Sequence, residues 1–204
     1  SLWTQLGADI DGEAPGDQSG YSVSLSAEGG RVAIGVPGTD SGQVRVYEYG
    51  SSSWTQLGAG IDGEAAGDSS GVDVSLSSNG SRVAIGAYLN VNEGNGYRSG
   101  HVRVFDYSSD TSSWGQVGSD IDGEAAGDFS GVVVGLSSDG NRVAVGGSGN
   151  DGVHGSNSGH ARVYEYNSSS WIQLGDDIDG EATLDLSATA ISISAEGYRV
   201  AIGS

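Results

Sequence analysis

The chain has no cysteine and no lysine. Without cysteine there is no disulfide framework and no thiol chemistry, and the redox compartment is left open. Without lysine, all eight basic residues are arginine, set against 27 acidic ones for a net charge of −19. A field of that sign excludes nucleic acid and anionic membrane as expected partners. Cations, basic proteins and neutral glycans remain, and solubility in salty water explains the acidity without any partner. No apolar run approaches the roughly 18 residues of a membrane helix, so no membrane insertion is expected. No signal peptide is recognisable either. The first residues, "SLWTQLG", match the middle of a repeat, so the natural N-terminus is expected further upstream.

What is abundant is glycine and serine, together 71 of 204 residues. Such a composition without periodicity reads as disorder. Here it is periodic. Trp3, Trp54, Trp114 and Trp171 each open "W-x-Q-[LV]-G-x-x-I-D-G-E-A", at spacings of 51, 60 and 57. Arg31, Arg82, Arg142 and Arg199 open "R-V-A-[IV]-G" at the same spacings, always 28 residues after a Trp. All length variation falls between that motif and the next "V-R-V-Y-E-Y" block.

Each repeat holds four strand-like segments. "SVSLS", "RVAIG" and "VRVYEY" alternate and carry β-branched or aromatic residues, and "WTQLGADI" is the fourth. Gly-, Ser- and Asx-rich turns separate them. No helical period of useful length is present. A period of 50–60 with four strands predicts an all-β, propeller-like array of four-stranded antiparallel blades. The Ser face of "SVSLS" suits the crowded strand nearest a propeller axis. The expected repeats are about 1–49, 50–107, 108–166 and a truncated 167–204, making three complete blades and a split or partial fourth in one domain.

"SGYSVSLSAEGGRVAIGVP" followed by "GQVRVYEY" resembles the FG-GAP repeat, the blade of integrin α-subunit-like propellers. Ser19–Gly20 stands at that family's Phe-Gly, and Gly35-Val36-Pro37 at its Gly-Ala-Pro. The resemblance implies "SVSLS" as the inner strand and "WTQLGADI" as the outer one. It also implies an extracellular or cell-surface address. Many such blades carry a calcium loop between their first two strands. Here that connection is only "AEGG", "SNGS", "SDGN" or "AEGY", tight hairpins too short to supply six oxygens. Since the family usually closes with seven blades, the chain reads as part of a longer array. Alternatively, the segment 3–10 joins the last blade and closes a small ring. Open blade edges invite self-association.

Strand alternation puts the loops 36–42, 87–100 and 147–159 on one face with the "IDGEAxGD" loops. Function concentrates on loops held by a rigid scaffold. Tyr88, Asn92, Glu93, Tyr97, Arg98, Asn150, Asp151 and His154 are the candidate ligand residues there, for a protein or glycan partner. Asp11, Glu13 and Asp17 recur as Asp62, Glu64, Asp68 and as Asp122, Glu124, Asp128. Their i, i+2, i+6 spacing with intervening glycines is compatible with wrapping a hard cation such as calcium. Asp and Gly also build ordinary turns, and the last acid of each set can cap its own loop. Both readings stand at this point. In the fourth copy Leu184 and Ala188 replace glycines, which puts that loop's geometry in question.

Seven of the eight arginines hold repeat positions in strands, Glu48, Asp106 and Glu165 also recur in the third strand, and pairing between strands or blades is expected. Each Trp is expected to pack on a neighbouring blade. His101 and His160 share a repeat position that holds Gln43 in the first copy, and convergence of two histidines from different blades on one zinc is not expected. Asn79 and Asn167 fit the N-glycosylation pattern on the opposite face. No nucleophile–base motif stands out, and the acids are duplicated in every repeat, whereas active sites are asymmetric. The expectation is therefore a non-catalytic adhesion, binding or assembly module, with a lectin-like glycan binder and a surface-filament repeat as alternatives.

Overall fold

A computed structural model describes residues 2–91 and 94–204. Among them there is no helix, and hence none long and apolar enough to cross a membrane.

Blade one contains β1 (Val23–Leu25), β2 (Arg31–Val36), β3 (Gln43–Gly50), β4 (Ser53–Gln56) and β5 (Ile61–Asp62). Blade two repeats the plan with β6 (Asp73–Leu76), β7 (Arg82–Ala87), β8 (His101–Ser108), β9 (Ser113–Gln116) and β10 (Ile121–Asp122). Blade three does so with β11 (Ser130–Leu136), β12 (Arg142–Gly147), β13 (His160–Tyr166), β14 (Trp171–Gln173) and β15 (Ile178–Asp179). The fourth sheet is β16 (Ala190–Ile193) paired with β17 (Val200–Gly203). All strand pairs are antiparallel.

The outer strand departs from expectation. Its two pieces both pair with the third strand: β4 with its C-terminal half and β5 with its N-terminal half. The break falls at Gly58, whose φ of +75° is open to glycine at little cost. Residues 3–10, written like an outer strand, form none. They have no third strand to pair with; instead Leu6 O accepts from Trp54 Nε1 at 2.8 Å.

The second strand of blade two is buried along nearly its whole length because a blade packs on each side of it. One core, including Val46, Leu57, Val74, Val83, Ile85 and Phe105, fills the junction of blades one and two. Another, including Val104, Ile121, Val134, Leu136 and Val145, fills that of blades two and three. Near the axis the sheets approach closely: a Cβ on Gly86 would overlap the Gly131 carbonyl oxygen. The inner-strand serines bridge the blades. Leu76 N donates to Ser24 Oγ and Leu136 N to Ser75 Oγ, both at 2.9 Å.

The side chains that recur from repeat to repeat close the junctions. Arg31, Arg82 and Arg142 pair with Glu48, Asp106 and Glu165 on the neighbouring strand. Each also donates through Nη1 to a glycine carbonyl of the next blade: Gly80, Gly140 or Gly197. Trp114 and Trp171 donate to Leu57 O and Val117 O of the preceding outer strand. These contacts give both residue types the packing roles expected of them.

Candidate functional site

The variable loops and the acidic loops share one face and are bonded to each other. Gly67 N donates to Asp40 O, Gly127 N to Tyr97 O and Gly149 N to Asp128 O. The three acids of each loop point to different partners. Asp17 is buried and accepts from the backbone amides of Ser19, Glu13 and Ala14. The Ser19 amide is foremost in holding its carboxyl below the ordinary range. Asp68 and Asp128 accept from their own loops in the same manner. Asp62 Oδ1 accepts from Gln43 Nε2. Asp122 pairs through its backbone with His101, and Asp11 lies in a strand-free segment. Glu13 ion-pairs with the buried Arg45 at 3.1 Å.

The remaining members, Glu64 and Glu124, do converge with other groups. The donor atoms of Glu64, His101 and Asp120 lie within 4.8 Å of one another, and so do those of Glu124, His160 and Asp177. Three elements build each cluster. The acidic loop arriving from the previous blade supplies the Glu. The third strand supplies the His, with an Arg two residues on, facing the same side. The kinked outer strand supplies the Asp just before its second piece, which pairs beside the His.

In the first cluster His101 is 1% exposed, and its Nδ1 lies 3.8 Å from Glu64 Oε2 and 3.7 Å from Asp120 Oδ2. These separations are too long for hydrogen bonds. Its Nε2 is buried and without a partner. Asp120 is oriented through its other oxygen by Gln116 Nε2 at 2.7 Å. Arg103 engages its cluster less closely: its guanidinium lies over the Phe105 ring and Nη2 donates to Asp62 O at 2.6 Å. Nη1 stays 3.7 Å from Glu64 Oε1.

The second cluster is closed by its arginine. Arg162 donates through Nε to Asp177 Oδ1 at 2.8 Å and through Nη2 to Asp177 Oδ2 at 2.7 Å, and Nη2 also pairs with Glu124. Burial works to lower the Arg162 pKa, but its bonds to Asp177 and Glu124 outweigh that and raise it. The same guanidinium holds Asp177 below the carboxylate range. His160 Nδ1 is buried and unpartnered, 3.5 Å from Asp177 Oδ2. Burial foremost depresses both imidazoles below the usual histidine value, so both are neutral near pH 7.

The first blade shows which positions belong together. Where His101 and Asp120 stand, it has Gln43 and Gly60, and a Cβ on Gly60 would strike the Gln43 amide. The His and the Asp are present or absent as a pair. That signal was available from the repeats, but single copies of "SD" or "DD" before an outer strand read only as turn residues.

The other candidates are dispersed. Tyr88 packs against Phe129 with the rings tilted 51° and their centroids 6.0 Å apart. Tyr97 is exposed with the Arg98 guanidinium over its ring. Asn150 is buried, Asp151 Oδ1 accepts from Asn157 N, and His154 O accepts from Thr183 Oγ1. Asn92 and Glu93 lie outside the described residues. Asn79 and Asn167 are exposed, each with its side-chain oxygen accepting from serines of its own turn.

No family model and no curated protein matches the chain. Solved structures do. Hydrazine synthase of Kuenenia stuttgartiensis superposes with a TM-score of 0.55 at 12% identity over 97% of this chain and 44% of that one. A candidate 6-phosphogluconolactonase of Bacteroides uniformis gives 0.57 at 13% identity over 89% and 46%. TolB of Acinetobacter baumannii gives 0.50 at 13% identity over 89% and 36%. The fold is a β-propeller type. The propeller chain spans less than half the length of these structures. The expectation of an adhesion, glycan-binding or filament module is overturned. It rested on a family resemblance, and the propellers that share this fold include hydrazine synthase and a candidate lactonase. The scaffold is common to enzymes, so it carries no adhesive role of its own.

Proposed function

We propose that this propeller holds a divalent metal ion at a blade junction, with Glu64, His101 and Asp120 as its protein ligands. The observation that carries the reading is a buried imidazole facing two carboxylates at 3.7 and 3.8 Å without a hydrogen bond. Two ligands about 2.1 Å from a tetrahedral ion stand about 3.4 Å apart, so a few tenths of an ångström would complete the shell. A neutral imidazole offers its lone pair without first losing a proton. Three protein ligands leave a fourth position for water or an anionic group arriving from the loop face. The ion would tie the loop leaving blade one to the third and outer strands of blade two. The Ser-Gly and Gly-Val-Pro motifs support reading the blades as FG-GAP in type. The donor set is not in the hairpin where that family keeps its calcium loop.

Thermal unfolding of the metal-stripped chain tests this. Zinc at about a hundred times its dissociation constant adds about 2.7 kcal/mol to the folded state. For a chain of this size that is a rise of about 5–10 °C in Tm. His101→Ala and Asp120→Asn abolish the rise. A rise of equal size in both variants, or none in the parent, contradicts the proposal.

A further inference from the structure

Resting on that metal-site reading, we infer that the two clusters are unequal: the chain takes one imidazole-preferring transition-metal ion, at Glu64–His101–Asp120, while Arg162 serves as a built-in cation at Glu124–His160–Asp177. The clusters have the same donor types, a Glu, a His and an Asp, from the same elements, each set within 4.8 Å. They differ in where the arginine goes. Arg162 places two nitrogens on Asp177 and one of them on Glu124 as well, so both carboxylates of its cluster are already engaged by a seated cation. Arg103 gives its close hydrogen bond to the Asp62 carbonyl and stands 3.7 Å from Glu64. The first cluster therefore keeps only a 3.7 Å ion pair from Arg103 to Glu64, and among the described residues no guanidinium is hydrogen-bonded to either of its carboxylates. An ion entering the second cluster would have to displace a bidentate guanidinium and leave it buried without its partners, which is strongly unfavourable. The donor set names the metal class. One imidazole nitrogen with two carboxylate oxygens suits zinc, nickel or cobalt(II), whereas calcium prefers six to eight oxygens.

Stoichiometry separates this inference from the reading beneath it. The metal-stripped chain is titrated with zinc by calorimetry, with circular dichroism confirming the fold of each variant. One ion per parent chain is expected, with none for His101→Ala and still one for His160→Ala. Removing the built-in cation with Arg162→Gln raises the count to two. Two ions on the parent chain would overturn the inequality and leave the metal reading standing. No ion on the parent would overturn both. Loss of the single ion in His160→Ala, with retention in His101→Ala, would place the site at the other junction and overturn the inference. Should Arg162→Gln not fold, imidazole NMR of the parent decides the matter. The chain has only three histidines, and zinc should shift His101 and leave His160 and His154 in place. Equimolar calcium should not displace the zinc; displacement would overturn the assigned metal class.

Discussion

Leu184 stands where the other acidic loops have Gly16, Gly67 and Gly127, and it keeps their backbone, with φ of +67°. Ala188 likewise keeps the conformation of Gly20, Gly71 and Gly131, with φ of +66°. The loop retains its shape because its bonds do: Ala182 N donates to Asp185, and Leu184 N to Ser156 O. The left-handed region costs an L-residue about 1–2 kcal/mol. Leu184 is 67% exposed and so loses little packing when removed. Leu184→Gly is therefore expected to stabilise the chain by about 1 kcal/mol. Thermal melting should show a rise of about 2–4 °C; a fall would mean that the leucine makes contacts worth more than the strain. At this scale the sequence was legible where a residue recurs in every copy. The Arg–Glu and Arg–Asp pairs of the second and third strands alternate in plain view. Asp120 and Asp177 were not legible, because only comparison with Gly60, position by position, links them to the histidines.

The outer strand was the element least readable in advance. "WTQLGADI" alternates well enough to pass for one strand, yet Gly58 and its equivalents break it in two. The break matters for the site, since it swings the residue before β10 or β15 toward the third strand and delivers the Asp to the His. The second strand was the most readable, being short, β-branched and bounded by turns. Its Ile85 is 1% exposed and packs in the core between blades one and two. Ile85→Ala is expected to lower the unfolding free energy by about 2–5 kcal/mol, measured by urea denaturation. A loss below about 1 kcal/mol would mean that the junction collapses around the cavity and is less tightly packed than described.

At the scale of the whole molecule, a regular period was enough to foresee antiparallel blades stacked around an axis. The two junctions among blades one to three repeat the same arginine, tryptophan and serine contacts, so the copies report one another's structure. The same regularity hid the chemistry. Asp–Glu–Asp within one loop looked like a ligand set because it is close in sequence, but the structure sends its members to a cap, an ion pair and a strand edge. The cluster that does form draws its members from residues 64, 101 and 120, which no local motif connects. The family resemblance carried the architecture across and did not carry a function, since propellers of this shape serve several chemistries. The most direct measurement is anomalous diffraction from a crystal of the metal-stripped chain reloaded with one equivalent of zinc. A single strong peak is expected about 2.0–2.2 Å from donor atoms of Glu64, His101 and Asp120. A peak held instead by the loop acids Asp62 and Asp68, or by Glu124 and Asp177, or none at the first junction, would contradict the proposed site.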